Sequence, residues 1–212
     1  VWSEHWLPLE LHGGIYKRSA DDLHDRLFDD INEANEQKIE FAGAKIDIQK
    51  CFDTIVPEQA IALWEEWKAP RGVTRVLKQF YRLNERWVEC QGAVSVSSIL
   101  PKRSLLQGCP ASPLLLGGIM AVWTETIRLR YPDVKFGSYL DDRTVWALGE
   151  GGYIEISRAL QLSREVDTTF EMKEHPKKRE WFGNTDKVLD KLKWVSGDNA
   201  NISKTFTLLG VF

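Results

Sequence analysis

The chain has 212 residues, 43% hydrophobic and 28% charged, a balance that suits one soluble globular unit with a core and excludes a disordered or fibrous chain. Its net charge of −3 argues against a simple nucleic-acid binder, which ordinarily carries an excess of Lys and Arg, so any such contact has to be local. Cys51, Cys90 and Cys109 are odd in number and far apart, without a CxxC pair, which disfavours a zinc site and points to a reducing, intracellular setting.

The N-terminal Val1-Trp2-Ser3-Glu4-His5 lacks a basic region followed by an apolar one, and no stretch approaches the roughly 18 apolar residues of a membrane span. Neither secretion nor membrane insertion is expected. Ser19, followed by Ala20-Asp21-Asp22, reads as an N-cap with acid in the first turn, opening a helix through Leu23, Leu27 and Ile31. Phe41 to Ile48 is short, bounded by polar runs and alternating near its end, which predicts a buried strand ending at Asp47.

Pro57 starts a helix whose Ala60, Ile61, Trp64 and Trp67 repeat at helical spacing. The next helix groups Val73, Val76, Leu77 and Phe80 on one face and Arg71, Arg75, Lys78 and Arg82 along another. That basic stripe is either a solvated face, the commoner case, or a track for phosphates. Arg86 to Leu100 reads as a hairpin turning at Gln91-Gly92, with Trp87-Val88 on one arm and Val94, Val96 and Ile99 on the other. After a loop at Gln107-Gly108, the apolar run Leu114 to Val122 predicts a buried helix in which Gly117-Gly118 permits close packing.

Phe136 to Trp146 reads as strand, tight acidic turn, strand. Tyr153 to Phe170 is an amphipathic helix with Ile156, Ala159, Leu160, Val166 and Phe170 inward, and short strands are expected near Glu180–Phe182 and Thr205–Phe212. No repeat or low-complexity linker divides the chain, so residues 1–212 read as one region. The missing initial Met and the apolar ending Leu208-Leu209-Gly210-Val211-Phe212 lead us to expect a fragment.

Two adjacent carboxylates at a hairpin tip repel and are costly to desolvate, so Asp141-Asp142 makes sense if a divalent cation neutralises it. Asp is also simply common in turns, and for an isolated Asp-Asp pair that account is the more frequent one. The surroundings change the odds. Asp47 stands at a strand end with Phe52 five residues on, and Gln107-Gly108-Cys109-Pro110-Ala111-Ser112-Pro113 leads into a helix. Tyr139-Leu140-Asp141-Asp142 forms the acidic turn, His175-Pro176-Lys177-Lys178 follows a helix, and Leu209-Gly210 comes near the end.

In this order and spacing these segments resemble the motifs of reverse transcriptases. The glutamine-glycine loop is closer to the non-LTR retrotransposon and group II intron branch than to retroviral enzymes. The resemblance implies an α+β fold: a right-hand polymerase palm, with an antiparallel sheet and packed helices, plus part of the fingers and no thumb. It also implies an RNA-directed DNA polymerase that extends a DNA primer with dNTPs on an RNA template, using two Mg2+ ions, with Mn2+ as the substitute. A thumb and other domains of a longer polyprotein are expected outside this chain.

By the same resemblance, Asp47 and Asp141 bridge both metals, Asp142 supports them, and the backbone carbonyl of Ile48 is a further ligand. Phe52 lies beneath the incoming sugar as a gate against a 2′-hydroxyl, where position alone would make it a core Phe. Gln107 contacts the incoming nucleotide and Gly108 allows close backbone approach. Lys178, or its neighbour Lys177, protonates or neutralises the leaving pyrophosphate. Gly13-Gly14-Ile15-Tyr16-Lys17-Arg18-Ser19 keeps part of the family's Gly-Phe-Arg-x-x-Arg-Ser fingers pattern, with Lys17 and Arg18 as triphosphate contacts and Ile15 where the first arginine would stand.

Lys45 is expected to be exposed at its strand end. Two alternatives are an RNA-dependent RNA polymerase palm, disfavoured by Phe52 and the acidic turn, and a non-catalytic retroelement remnant that binds nucleic acid. Intact Asp47, Asp141, Asp142 and Gln107 argue against the remnant.

Overall fold

A computed structural model describes residues 6–175, 177–197 and 200–205 of the protein. The first half contains β1 (Leu11–His12), α1 (Ala20–Glu36), β2 (Phe41–Ile46), α2 (Cys51–Thr54), α3 (Pro57–Glu66), α4 (Arg71–Leu83) and the hairpin β3 (Glu89–Cys90) and β4 (Ala93–Val94). The second contains α5 (Ala111–Arg130), β5 (Lys135–Tyr139), β6 (Asp142–Leu148), α6 (Gly152–Thr169), β7 (Glu180–Gly183), α7 (Asp186–Ser196) and β8 (Asn201–Ser203).

Six strands form one sheet in the order β1-β5-β6-β2-β7-β8. Its centre is antiparallel as expected, β5 with β6, β6 with β2 and β2 with β7. The short edge strands β1 and β8 are additions, and both pair in parallel. Strand alternation sends Ala42, Ala44 and Ile46 of β2 and Val145 and Ala147 of β6 into one core with α5 and α6. Phe41, Trp146 and Phe182 face the other way, under Leu23, Leu27 and Ala34 of α1. Helices therefore cover both faces, and exposure rises only at the end of the sheet, where the Asp142 side chain is 30% exposed although Ile46 and Arg143 beside it are buried.

α1 starts where its local chemistry directs. The Ser19 hydroxyl accepts from the Asp22 amide at 3.3 Å while the Asp22 carboxylate accepts from the Ser19 amide at 2.6 Å, a reciprocal capping box. α5 extends the expected Leu114–Val122 run by burying Trp123, Thr124 and Ile127 at helical spacing. α7 was not foreseen; Thr185 caps it by accepting from the Val188 amide.

α4 departs from the grouping of Val73, Val76, Leu77 and Phe80. It buries Thr74, Leu77 and Tyr81 and leaves Val73, Val76 and Phe80 46%, 64% and 40% exposed. A polar anchor accompanies this rotation, since the Tyr81 hydroxyl lies 3.3 Å from Ser112 Oγ on α5. The hairpin does turn at Gln91-Gly92, with φ of +51° and +82° as a two-residue primed turn requires, yet its arms stay exposed. From residue 206 onward the expected strand, including Leu209-Gly210, lies outside the described residues.

Candidate active site

Three carboxylates meet at the sheet's open end because of strand register. β2 and β6 pair antiparallel down to Ile46 against Arg143, so one further step sets Asp47 beside Asp142. Asp141 occupies the two-residue turn that joins β5 to β6, where Tyr139 pairs with Asp142. Leu140, the other turn residue, is held at φ +56°, a left-handed conformation that costs a non-glycine residue about 1–2 kcal/mol. The turn is braced from outside, because the Leu140 amide donates to the His12 carbonyl at 3.1 Å.

The electrostatics follow from crowding. Burial, and then the charges of Asp142 and Asp47, push the Asp141 carboxyl above the usual carboxylate range, against Lys178 and its own backbone hydrogen bond. Asp142 is raised as well, chiefly by burial and by Asp47, with Lys45 and Lys178 opposing. Burial also raises the Cys51 thiol at the start of α2, with the charge of Asp141 as the next cause.

Two lysines answer this negative charge. Lys178 Nζ lies 3.2 Å from Asp47 Oδ1, and Lys45 Nζ lies 3.7 Å from Asp142 Oδ1. The expectation of an exposed Lys45 is thus corrected: its side chain is only 16% exposed, because strand alternation puts it on the face that Asp142 shares. Between Lys177 and Lys178, the structure brings Lys178 to the carboxylates. Lys177 instead lines a groove of about 910 Å³ with Arg164, Lys173, Glu174 and Arg179.

Backbone pairing delivers Lys178. The His175 amide donates to the Asp47 carbonyl and the Gln49 amide to the Lys173 carbonyl, both at 2.8 Å, clamping residues 173–175 onto 47–49. The bridge sets Ile48 opposite Glu174, and neither of its bonds uses the Ile48 carbonyl. Phe52 sits in the short helix α2, half-buried against the core. Its carbonyl accepts from the Leu105 amide at 2.7 Å, tying α2 to the segment that runs into Gln107.

Gln107 and Gly108 are exposed on their loop. Gly108 has φ +83° with open space where a Cβ would stand, so its conformation calls for glycine and leaves room for close approach. Ser112 holds the loop from below, donating to the Leu106 carbonyl at 2.7 Å. The two fingers residues differ in their surroundings. The Arg18 guanidinium is engaged by the carbonyls of Pro8, Leu11 and Leu7, and burial lowers its pKa, so it staples the N-terminal segment. Lys17 is exposed, with Nζ 5.4 Å from the Tyr16 ring centre.

Sequence reading missed the groups beneath the site. Arg143, next to Asp142 but pointing into the core, makes a two-pronged ion pair with Asp167 of α6 at 2.9 and 2.7 Å and lies 5.1 Å from the Trp123 ring centre. The available signal was an arginine at the start of a strand that continues apolar from Val145 to Leu148, with one acid on the inner side of a later helix.

The donor set suits a hard divalent cation, since all three groups are carboxylates and two are raised by burial and by one another's charge. As the side chains stand, however, no three His, Cys, Asp or Glu among the described residues close into a metal-binding group. Lys45 and Lys178 hold Asp142 and Asp47 instead.

Comparison with known proteins adds the family context. A family model described as reverse transcriptase (RNA-dependent DNA polymerase) matches residues 12–211. No curated protein sequence matches the chain. Among solved structures, an apo telomerase from Candida tropicalis truncated from its C-terminal domain is similar at a TM-score of 0.63 and 11% identity, over 82% of this chain and 36% of that one. Telomerases from Candida tropicalis and Candida albicans, each in complex with a fragment of telomeric RNA, are similar at TM-scores of 0.63 and 0.60, both with 12% identity over 84% of this chain. Those matches span 30% and 33% of the respective telomerase chains, so this chain corresponds to about a third of each. At such identity the likeness speaks to fold, a mixed α/β architecture of the polymerase palm type.

Proposed function

The chain belongs to the reverse transcriptase (RNA-dependent DNA polymerase) family, and from that premise we propose that it carries the nucleotidyl-transfer centre of an RNA-directed DNA polymerase. The observation that carries the reading is the gathering of Asp47, Asp141 and Asp142 at the ends of two adjacent strands, answered by Lys45 and Lys178. Three like charges placed together cost stability, and a reaction that needs concentrated negative charge gives a reason for keeping them.

In this reading Asp47 and Asp141 would hold two Mg2+ ions, with Asp142 and the Ile48 carbonyl in support and Mn2+ as a substitute. When bound, the ions would activate the primer hydroxyl and stabilise the charge on the triphosphate. The chain's own residues do the rest. Lys178 stands beside Asp47, where an ammonium neutralises or protonates a leaving pyrophosphate. Phe52, fixed through its backbone to the segment before Gln107, would exclude a 2′-hydroxyl by shape. Exposed Gln107 and Gly108 would meet the nucleotide, and Lys17 is the fingers residue available to a triphosphate. An RNA template, a DNA primer and dNTPs are the implied partners.

Primer extension on an RNA template with Mg2+ tests this, comparing the chain with its Asp141→Ala variant, with a thumb supplied in cis. The chain should incorporate dNTPs and the variant should not; equal extension by both would sink the proposal. Phe52→Ala should admit ribonucleotides, and unchanged sugar selectivity would remove the gate.

A further inference from the structure

We infer that the basic side of α4 is a binding groove for the phosphodiester backbone of single-stranded nucleic acid, separate from the carboxylates. The groove, of about 1210 Å³, is lined by Lys68, Arg71, Arg75, Lys78 and Arg82, with Glu65 as the only acid in its lining. Four of these cations share one helix face by their spacing, and α4 contains no Asp or Glu. Lys78 reaches Glu65 at 2.6 Å, whereas among the described residues no carboxylate pairs with Arg71, Arg75 or Arg82.

Apart from Arg18, Arg26, Arg86 and Arg130, which meet no carboxylate among the described residues, the arginines outside α4 are treated differently. Arg103, Arg128, Arg143, Arg158, Arg164 and Arg179 each meet a carboxylate. In a chain of net charge −3, uncompensated positive charge therefore collects along this helix. A merely solvated face ordinarily mixes signs and gains from i,i+4 pairs, which α4 forgoes. Closely spaced guanidinium groups without carboxylates match a row of phosphates.

The neighbouring surface favours an unpaired strand. Gln79 and Leu83 line both this groove and an adjoining, largely apolar one formed with Val76, Phe80 and Trp87, whose polar edge is Asn84 and Glu85. Phe80 and Trp87 are 40% and 55% exposed, and exposed aromatic faces beside a basic groove are stacking platforms for bases. α4 is also joined to the Gln107 loop through Tyr81 and Ser112, so a strand held here is mechanically linked to the candidate nucleotide site.

The inference shares only its class of ligand with the proposed function, and its test needs no catalysis. Fluorescence anisotropy would measure binding of single-stranded RNA and DNA of roughly 16 nucleotides, without divalent metal or dNTP. Salt would be varied from about 50 to 200 mM. The variant Arg71→Gln/Arg75→Gln/Arg82→Gln should bind about tenfold weaker at low salt, and its log-log salt slope should be shallower by about 2, as three lost single-strand phosphate contacts imply. Trp87→Ala should weaken binding at least about fivefold without changing the slope.

Arg158→Gln, an exposed arginine of α6 paired with Glu155, should bind like the unaltered chain, and because binding is read without metal or dNTP, failure of this inference is distinct from failure of the catalytic one. Equal losses on RNA and DNA would identify the shared phosphodiester as the ligand, and losses confined to one would identify that strand. Unchanged affinity and slope in the triple variant would overturn the inference. So would normal nucleic-acid binding accompanied by lost self-association in sedimentation, which would make the groove a protein contact.

Discussion

Asp167→Ala should destabilise the folded chain by about 3–5 kcal/mol, the range for removing one partner of a buried ion pair. Arg143 is 0% and Asp167 4% exposed at the side chain, and the two bonds between them are well formed. Arg143 Nε has no other partner among the described residues, so truncating Asp167 strands a desolvated guanidinium. For a chain of this length, 1 kcal/mol corresponds to about 2–4 °C, so the midpoint should fall by about 6–20 °C. Thermal and urea unfolding followed by circular dichroism measure both quantities. Arg143→Met with Asp167→Leu removes both charges and should recover most of the loss, because desolvation of the pair offsets much of its attraction. A loss below about 1 kcal/mol in Asp167→Ala, the range of exposed pairs, would refute the reasoning.

Asp141→Asn should raise metal-free stability at neutral pH by about 0.5–2 kcal/mol while abolishing primer extension, a familiar trade between stability and function. The sign follows from linkage: the folded carboxyl titrates above its reference value of 3.8, so its favourable contribution is complete below that value and is lost as pH rises through the folded pKa. The variant's advantage in melting temperature should therefore grow from acid to neutral pH, and a constant gap would count against it. Ser112→Ala removes the bonds to Leu106 and Tyr81 and should cost about 1–2 kcal/mol in denaturant unfolding, with a raised KM for dNTP; unchanged values for both would show that Ser112 does not hold the Gln107 loop. Gly14→Ala places a Cβ 2.4 Å from Pro113 Cβ at φ +69°, and the rigid ring leaves little room to relax, so a loss of about 1–3 kcal/mol should appear on melting. A variant as stable as the parent would show that the loop carrying Gly14 moves freely over α5.

What the sequence disclosed was local. The Ser19 cap, the turn at Gln91-Gly92 and the acidic turn at Leu140-Asp141 each rest on a few neighbouring residues, and each stands where it was expected. The rotation of α4 did not, because it goes with a hydroxyl contact on a helix 31 residues away. The carbonyl partners of Arg18 were not legible, because a basic side chain in a motif carries no mark of the backbone that will surround it. Asp167 and Arg143 were invisible for the same reason, being 24 residues apart on a helix and a strand whose packing no local pattern specifies.

The relation between Asp47 and Lys178 shows how the fold joins what the chain separates. The two residues are 131 positions apart, and two backbone bonds, not side-chain attraction, bring their segments together. That order matters physically, because a surface ion pair alone contributes only about 0–1 kcal/mol and would hold a long lysine loosely. With the clamp formed, Lys178 competes for Asp47 as an intramolecular cation, and Lys45 does the same for Asp142. Three carboxylates against two lysines still leave the cluster one positive charge short. An added cation therefore gains most where burial has already raised two of the acids, and the residual repulsion among Asp47, Asp141 and Asp142 becomes a driving force for binding it.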